Sequence, residues 1–273
     1  MARKALLVGI NRYPDPADGL RGCVNDVKLM RDTLARHYGF IDPGAVRILT
    51  DHRATTEAIL HNLAWLVDGA ASGDSLVFHY SGHGSQVPDR NGDEGDGLDE
   101  ILCPYDLDWA HPLTDDDLAA VVAPIPKGAL LTVILDCCHS GTGLRETSRN
   151  GSAIRHRYLP HLVEPAVFPR PVRRFGAGVT KTNAVLLAAC RDDQTSADAF
   201  IDGKFRGAHT WYLCQSLREA NWNPTYRDLA STTGTALSRT GFDQVPQLEG
   251  PSRLLTMPVF QGRHISKSAR IVA

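Results

Sequence analysis

Two short segments carry residue types that could act together as a nucleophile and its base. An apolar run that ends at Tyr80 is followed by Ser-Gly-His-Gly, and another that ends at Leu135 is followed by Asp-Cys-Cys-His-Ser-Gly. A thiolate attacks carbonyl carbon, and an imidazole near neutral pH can take the proton that the thiol must lose. His83 stands between two glycines and Cys138 lies in a glycine-bearing turn, so both side chains are expected to face a cleft. The pattern predicts covalent catalysis by Cys138 with His83 as its base.

The other cysteines and histidines give weaker signals. Cys103, Cys190 and Cys214 are interpreted as small buried apolar residues, because an isolated cysteine usually packs rather than reacts. His139 directly follows the proposed nucleophile, so its side chain is expected to point away and to support the loop. The chain has six cysteines but no pair of CxxC motifs and no HExxH motif. A metal-dependent hydrolase that uses His83, His139 and the cysteines is therefore disfavoured.

The elements that must position these side chains alternate along the chain. Short apolar runs predict strands that are buried on both faces, and the longer amphipathic stretches between them predict helices. The predicted strands are Ala5–Gly9, Ala45–Leu49, Ser75–Tyr80, Leu130–Leu135 and Ala184–Ala189. The predicted helices are Val24–His37, Thr55–Gly69, Thr114–Val122, Ala208–Arg218 and a segment from Pro224 to Ser238. This alternation predicts an α/β fold with a mostly parallel sheet and helices on both faces, in which the two motif loops share one edge.

The length of 273 residues and the composition fit one large globular domain or two small ones, and we expect a single domain over residues 1–273. The 31 acidic and 29 basic residues leave a formal net charge of −2, which gives no reason to expect nucleic acid or a membrane surface as partner. The apolar run near the N-terminus is shorter than the roughly 7–15 residues of a signal peptide, and no run approaches the roughly 20 of a membrane span. We therefore expect a cytoplasmic protein with reduced cysteines.

Two segments interrupt the strand–helix alternation. Pro88–Glu100 is acidic and glycine-rich, which predicts a loop rather than a buried element. Residues 144–182 are rich in arginine and contain several prolines, with only Glu146 and Glu164 as acids. A structureless connection of this length inside a compact domain is usually functional or disordered.

Five segments together resemble one known family. Tyr80–Gly84 and Asp136–Gly141 are similar to the histidine and cysteine motifs of caspase-like peptidases, closest to metacaspases and their bacterial relatives. Leu20–Asp26 resembles the stretch before the family's first helix, Ala189–Asp198 the segment after its fifth strand, and Gln244–Leu248 its C-terminal signature. The segments occur in the same order as in the family, and the resemblance covers about residues 5–250. The resemblance implies a caspase-like α/β sandwich of about six strands, as a type I-like catalytic domain without a prodomain.

The resemblance also implies a role for each matched residue. His83 matches the catalytic histidine and Cys138 the nucleophile, whereas the adjacent cysteine is not expected to attack. Asp26, Ser81 and Asp136 match residues that line the first specificity pocket. Two carboxylates and a hydroxyl in one pocket suit a guanidinium or an ammonium and repel an aspartate. The enzyme is therefore expected to cut after Arg or Lys, unlike true caspases.

The resemblance implies less for a second cysteine and for calcium. Cys23 matches a further cysteine near the family's active site, and no catalytic role is assigned to it. The acids that match a family calcium site are Asp99, Asp115 and Asp116, and carboxylate oxygens are suitable ligands for Ca²⁺. Some relatives offer another aspartate just beyond the cysteine loop, where this chain has Arg145, a cation that would weaken the site. The chemistry itself needs no cofactor, and we expect a modest activation by calcium or none.

These observations favour a cysteine endopeptidase that hydrolyses peptide bonds after Arg or Lys through a Cys–His dyad and an acyl-enzyme. Its partner would be a protein or peptide substrate, and by resemblance it would act as a monomer. An arginine-preferring peptidase with an arginine-rich loop is expected to cut itself there, between Leu144 and Lys181, although the loop could equally be a solvated basic segment. The alternative class is a caspase-like scaffold that binds partners with little or no proteolysis.

Overall fold

The computed structural model describes residues 1–89, 98–139, 148–149, 152–161, 183–191 and 194–261, with the backbone alone for residues 148–149 and 152–153. The strands are β1 (Arg3–Gly9), β2 (Val46–Thr50), β3 (Ser75–Ser81), β4 (Gly84–Pro88), β5 (Leu98–Leu102), β6 (Leu113–Thr114), β7 (Leu130–Asp136), β8 (Ser148–Arg149), β9 (Ser152–Ala153), β10 (Arg155–His156), β11 (Ala184–Ala188), β12 (Ala197–Ile201), β13 (Lys204–Gly207) and β14 (Gln247–Glu249). The α-helices are α1 (Cys23–Tyr38), α2 (Thr56–Val67), α3 (Asp115–Val122), α4 (Ala208–Glu219), α5 (Tyr226–Arg239) and α6 (Ser252–Leu255).

A six-stranded sheet forms the centre of the described chain. Its strand order is β14-β11-β7-β3-β1-β2. All neighbouring strands run parallel except β14, which is antiparallel to β11. The predicted mostly parallel α/β sheet of about six strands is therefore confirmed.

Helices cover both faces of this sheet, because successive side chains of a strand point to opposite sides. Leu6 and Val8 of β1 pack with α2 and α3, whereas Ala5 and Leu7 pack with α1, α4 and α5. Burying each large apolar side chain in this way stabilises the fold by about 1.5–3 kcal/mol. Because both faces of the sheet are covered, successive residues of its strands are apolar, and this made the positions of the strands predictable from sequence.

Polar side chains begin three of the helices. The Oγ1 atom of Thr55 accepts a hydrogen bond from the N–H of Ala58, and Thr114 forms a reciprocal capping pair with Asp117. The helix predicted to start at Pro224 begins two residues later, because Thr225 caps it by accepting from the N–H of Asp228 at 3.1 Å.

The prediction that Pro88–Glu100 contains no buried element is wrong for the described ends of the segment. β5 pairs antiparallel with β4, and Asp99 and Glu100 are buried within it. Leu98 and Ile101 pack inward, so the apolar positions of β5 outweigh its two acids. Residues 90–97 lie outside the described residues.

The prediction of a structureless arginine-rich connection is also wrong where the structure describes it. β8 pairs with β9, and β10 pairs antiparallel with β12. The remainder of the segment, including Leu144, Arg145 and Lys181, lies outside the described residues, as do Asp192 and Asp193. Among the described helices, none combines the length and apolarity that a membrane crossing requires.

Candidate active site

The two motif loops leave the sheet from neighbouring strands. Ser81 is the last residue of β3 and Asp136 the last of β7, and the two are partners in the parallel register. Both are completely buried. Helix α1 brings Asp26, in its first turn, to the same edge, where the Ser81 hydroxyl donates to Asp26 Oδ2 at 2.8 Å. The sheet edge therefore brings together the three side chains predicted to line one pocket.

A guanidinium of the chain itself occupies this pocket. The side chain of Arg157 is fully buried. Its Nη2 atom lies 2.8 Å from Asp26 Oδ2, and its Nη1 atom donates to Ser81 Oγ at 2.7 Å and to the carbonyl of Asp136 at 3.0 Å. The carboxylates of Asp136 and Asp198 complete the set at 3.2 and 3.3 Å. Such a planar fork of donors among carboxylates is the usual way that proteins bind arginine.

The buried charges shift one another's proton affinity. Burial alone would lower the pKa of Arg157, but the carboxylates, Asp136 first, raise it well above its usual value. Burial likewise favours a neutral Asp136, yet Arg157, His209 and two hydrogen bonds lower its pKa overall. For Asp26, burial exceeds the effect of Arg157 and raises the pKa. The pocket therefore contains the permanently charged guanidinium of Arg157 and at least one ionised carboxylate, that of Asp136, paired with it.

Space for the guanidinium depends on Gly207. An added Cβ there would overlap the carboxylate of Asp136 and lie 2.8 Å from Arg157 Cζ. The backbone φ of Gly207 is −70°, which other residues adopt easily, so the requirement for glycine is steric. The N–H of Gly207 also donates to both carboxylate oxygens of Asp26 at 3.0 Å. Gly207 thus forms one wall of the pocket.

Two backbone N–H groups converge on a single carbonyl oxygen beside the cysteine. Cys138 N and Gly84 N each donate to the carbonyl of Arg157 at 3.1 Å. An added Cβ at Gly84, the first residue of β4, would overlap the carbonyl of Cys138, so only glycine fits at this position. Paired donors of this kind stabilise the negative oxygen of a tetrahedral intermediate and form an oxyanion hole.

The ring of His83 is held in one orientation at the same place. Its Nε2 atom lies 2.8 Å from the carbonyl oxygen of Asp18, which can only accept, so Nε2 carries the proton. Nδ1 is buried and has no hydrogen-bond partner among the described residues. Burial lowers the ring's pKa to about 4, with a further lowering from the cation of Arg157. The ring is therefore neutral near pH 7, with a lone pair on Nδ1 that can accept a proton.

The two adjacent cysteines face different surroundings. The Sγ atom of Cys138 is buried against the backbone N–H and carbonyl of Ser196. Interaction with this sulfur, followed by burial, raises the pKa of the Cys190 thiol well above its usual value. Cys137 packs in the core on the other side, with Sγ 3.5 Å from His139 Nε2. The arrangement is consistent with Cys138 as the nucleophile and with a supporting role for His139.

The other matched cysteine lies beside the pocket. Cys23 is completely buried at the first position of α1. Burial raises the pKa of its thiol well above the usual value, with smaller effects from Arg157 and the nearby acids. A protonated, buried thiol is a poor nucleophile. The structure therefore supplies no separate chemistry for Cys23.

The acids expected to bind calcium lie in β5 and in the first turn of α3. Asp99 and Asp116 line a cavity of about 380 Å³, together with Asp117, whereas Asp115 is buried at the start of α3. The oxygen donors are of the right kind for Ca²⁺. No group of three or more candidate ligands is gathered for a metal ion in the part of the chain that the structure describes. These residues thus fit a calcium ion in donor type but not in number.

Sequence reasoning missed several residues that complete the site. Arg157, Asp198, Ser196 and Gly207 were not predicted to belong to it. A signal was present for two of them, since Ser196 and Asp198 fall within the segment that resembles the family's stretch after the fifth strand. Ser196 donates to Asp136 Oδ1 at 2.6 Å, and its carbonyl accepts from the N–H of Arg157 at 3.1 Å.

Comparison with known proteins decides the family. Residues 3–146 match the model of the metacaspase, peptidase C14 domain. The chain belongs to the metacaspase family. It is 36% identical to metacaspase-1 of Arabidopsis thaliana over 88% of this chain and 66% of that one. It is 35% identical to metacaspase-1 of Scheffersomyces stipitis, over 90% of this chain and 70% of that one. The chain thus spans about two thirds of the length of these relatives.

A solved structure agrees with this assignment at the level of the fold. Protein GSU0716 from Geobacter sulfurreducens superimposes with a TM-score of 0.68 at 24% identity, covering 97% of this chain and all of that one. As a metacaspase, the protein has the caspase-like fold and is a cysteine-type hydrolase of the C14 peptidases. The predictions of family, fold class and enzyme class are therefore confirmed, and the metal-dependent hydrolase is set aside.

Proposed function

We propose that this metacaspase is an endopeptidase that cuts peptide bonds on the carboxyl side of Arg or Lys. The observation that supports it is the bound state of Arg157. Its guanidinium lies among three carboxylates while its own carbonyl oxygen accepts from Cys138 N and Gly84 N. A substrate arginine in the same position would present its carbonyl carbon beside the Cys138 thiol.

The proposed mechanism uses residues of this chain alone. His83 Nδ1 takes the proton of the Cys138 thiol, and the thiolate attacks the carbonyl carbon. The two N–H groups stabilise the resulting oxyanion, and removing one such donor typically costs about a hundredfold to a thousandfold in rate. The protonated ring then gives its proton to the leaving amine. Water hydrolyses the thioester and restores the thiol.

The pocket is proposed to prefer arginine to lysine and to reject aspartate. A guanidinium makes several hydrogen bonds at once with Asp26, Ser81 and Asp136, whereas an ammonium is a point charge with fewer donors in reach. An aspartate side chain would bring a further negative charge among the buried acids. Specificity would therefore arise from charge and from geometry together.

The test is hydrolysis of matched fluorogenic peptides that end in Arg, Lys or Asp before the reporter group. We expect kcat/KM for Arg and Lys to exceed that for Asp by at least about a hundredfold, because two or more charge-assisted hydrogen bonds are at stake. A Cys138→Ala variant is the control for contaminating peptidases. Cleavage after Asp alone would contradict the pocket assignment. Absence of cleavage from every peptide would favour the partner-binding scaffold.

For calcium we propose a modest activation or none. Asp99 and Asp116 would be the ligands in the cavity that they line, and a bound ion would only support the fold around β5 and α3. We expect the rate of arginine-peptide hydrolysis in millimolar Ca²⁺ to differ from that in EGTA by less than about tenfold, since the described residues provide few ligands for one ion. Loss of all activity in EGTA, restored by Ca²⁺, would show a strict requirement instead.

The remaining properties are proposed on less direct grounds. The family resemblance supports a monomer that acts on proteins or peptides, and the short apolar runs and unpatterned cysteines of the sequence support a cytoplasmic location. It would also process itself within the arginine-rich segment between residues 144 and 182. The preference for Arg and the arginine content of this segment support self-processing.

A further inference from the structure

Two tyrosine hydroxyls bind the main chain of His83. Tyr13 lies in the loop after β1, and its Oη atom accepts from the N–H of His83 at 2.9 Å and donates to the carbonyl of Cys103 at 3.3 Å. Tyr80 belongs to β3, and its Oη atom lies 2.7 Å from the carbonyl of His83 and 2.8 Å from that of Cys103. The N–H of Cys103 also donates to the carbonyl of His83, at 3.0 Å. Both polar groups of the His83 backbone therefore have a phenol oxygen as partner.

Both phenols keep their protons near neutral pH. Tyr80 is completely buried, and Tyr13 is nearly so. Burial is the main cause that raises the pKa of each hydroxyl well above its usual value. A protonated phenol can donate to a carbonyl and accept from an N–H at the same time. The two side chains thus supply this turn with the hydrogen bonds that a sheet ladder supplies to a strand.

The glycine before His83 leaves room for the two hydroxyls. An added Cβ at Gly82 would lie 2.7 Å from Tyr80 Oη and 3.1 Å from Tyr13 Oη. A side chain at this position would therefore push the phenols away from the backbone that they bind. The first glycine of the Ser-Gly-His-Gly motif is required on steric grounds, and the phenol pair is the reason.

The loop that carries Tyr13 also contacts the imidazole of His83. The two rings pack with their centroids 4.9 Å apart and their planes tilted by 50°. Asp18, in the same loop, holds Nε2 through its carbonyl, and Ile10 ties the start of the loop to β3 by donating to the carbonyl of Ser81 at 3.0 Å. One anchored loop therefore fixes both the backbone and the ring of His83.

We propose that Tyr13 is a positioning residue for the proton transfer between Cys138 and His83, assisted by Tyr80 on the other side of the same turn. The proposal rests on the proposed function in so far as it uses the Cys138–His83 pair. Tyr13 would act through His83, by keeping the imidazole where it can take the proton of the thiol. A misplacement of about 1 Å can cost about a hundredfold in rate, so a rigid support for the base has a large effect.

The hydroxyl of Tyr13, rather than its ring, is the group that matters in this proposal. Tyr13→Phe keeps the aromatic packing but leaves the buried N–H of His83 without its acceptor. A buried donor without a partner is unfavourable, so the turn shifts until the N–H finds another one. The imidazole moves with the turn, whereas Asp26, Ser81 and Asp136 keep their own hydrogen bonds. Proton transfer should therefore slow while binding of the substrate cation is preserved.

The first test is the division of the effect between kcat and KM for a fluorogenic arginine peptide. We expect Tyr13→Phe to lower kcat by at least about tenfold and to leave KM within about threefold of wild type, because only the placement of the base has changed. Tyr80→Phe should change the two constants in the same direction. An unchanged kcat, or a loss that appears only in KM, would overturn the proposal.

Tyr226→Phe is the matched control for this measurement. Its buried hydroxyl also accepts from a backbone N–H, that of Phe260 at 3.1 Å, but it lies at the start of α5. Both substitutions remove one buried hydroxyl, so thermal unfolding should show a similar loss of stability in each. Only Tyr13→Phe should lose kcat. Equal loss of kcat in the two variants would show that the effect is one of general stability, which would overturn the proposal.

The second test shows whether Tyr13 acts through His83. The rate at which iodoacetamide alkylates Cys138, followed by mass spectrometry of the peptide that contains it, reports how readily the thiol loses its proton. We expect Tyr13→Phe to slow this alkylation when His83 is present and to change it by less than about twofold in a His83→Ala background, because two residues that act as one unit are not additive. Equal slowing in both backgrounds would overturn the proposal.

The two measurements separate this proposal from the proposed function. If wild type hydrolyses neither arginine nor lysine peptides, the proposed function fails, and the alkylation rates alone decide whether Tyr13 positions His83. If wild type hydrolyses them and Tyr13→Phe equals Tyr226→Phe in both kcat and alkylation rate, only the positioning role is wrong.

Discussion

Cys138→Ala is expected to lower peptide hydrolysis by at least about a thousandfold, because nothing then forms the covalent intermediate and only binding and the oxyanion hole remain. The variant should fold, since the lost side chain is small and borders the backbone of Ser196 rather than a charged group. Hydrolysis of a fluorogenic arginine peptide gives the rate, and thermal unfolding gives the stability.

Cys137→Ala is the matched control, because it removes the same atoms from the neighbouring position. Its thiol packs in the core near His139, so its loss should cost about 1–2 kcal/mol of stability as a small cavity and leave kcat within a few-fold of wild type. If Cys137→Ala abolished hydrolysis while Cys138→Ala retained it, the nucleophile would be the other cysteine. If both retained it, the Cys–His mechanism would be wrong.

Gly207→Ala is expected to reduce kcat/KM for arginine peptides by at least about a hundredfold. The added methyl group would take the space of the guanidinium and displace the Asp136 carboxylate, and each charge-assisted hydrogen bond lost is worth about 1.5–3 kcal/mol. Overpacking should lower stability by about 1–3 kcal/mol, which thermal unfolding can measure.

Gly234→Ala is the control for this variant. Gly234 lies in α5, and an added Cβ would make only an ordinary contact with Pro246 at 3.6 Å. Alanine is the better helix former by about 1 kcal/mol, so this variant should be as stable as wild type or more so, with unchanged kcat/KM. Equal activity of Gly207→Ala and Gly234→Ala would remove Gly207 from the pocket.

The fold was predictable from sequence because its strands are buried on both faces. Such strands must be apolar throughout. Each of the five predicted runs coincides with a strand of the central sheet, and none extends more than one residue beyond its strand. The sixth strand, β14, was not among the predicted runs. It is short and only partly buried, so its apolar signal is weak. β5 was missed because two acids interrupt it, although both are buried in the structure.

The candidate site was predictable only in part. His83 and Cys138 could be named from their glycine-bearing turns after buried strands, whereas Asp26, Ser81 and Asp136 were named from the resemblance to the family. Which side chain meets which could not be inferred, since contacts such as that of Asp26 with Gly207 join residues far apart in the chain.

Arg157 shows the limit of sequence reasoning most clearly. It is one of many arginines in residues 144–182, and composition alone identifies the segment as a basic loop. Arg157 occupies the pocket because three of its groups find partners at once. Its side chain contacts carboxylates, its carbonyl accepts from two N–H groups, and its own N–H donates to a carbonyl. Only the folded chain brings these partners together.

The pairing of Ser81 with Asp136 as the last residues of adjacent strands has a consequence for how the pocket can change. Both side chains are oriented by the hydrogen-bond ladder of the central sheet, and a register shift of one residue would turn each to the opposite face. Ser81 and Asp136, which form the floor of the pocket, therefore move little when a cation binds, and this favours tight binding. The preference of the pocket for a cation therefore depends on side chains that the sheet holds in place. Exchanging those residues should change the preference, whereas remodelling the surrounding loops should not.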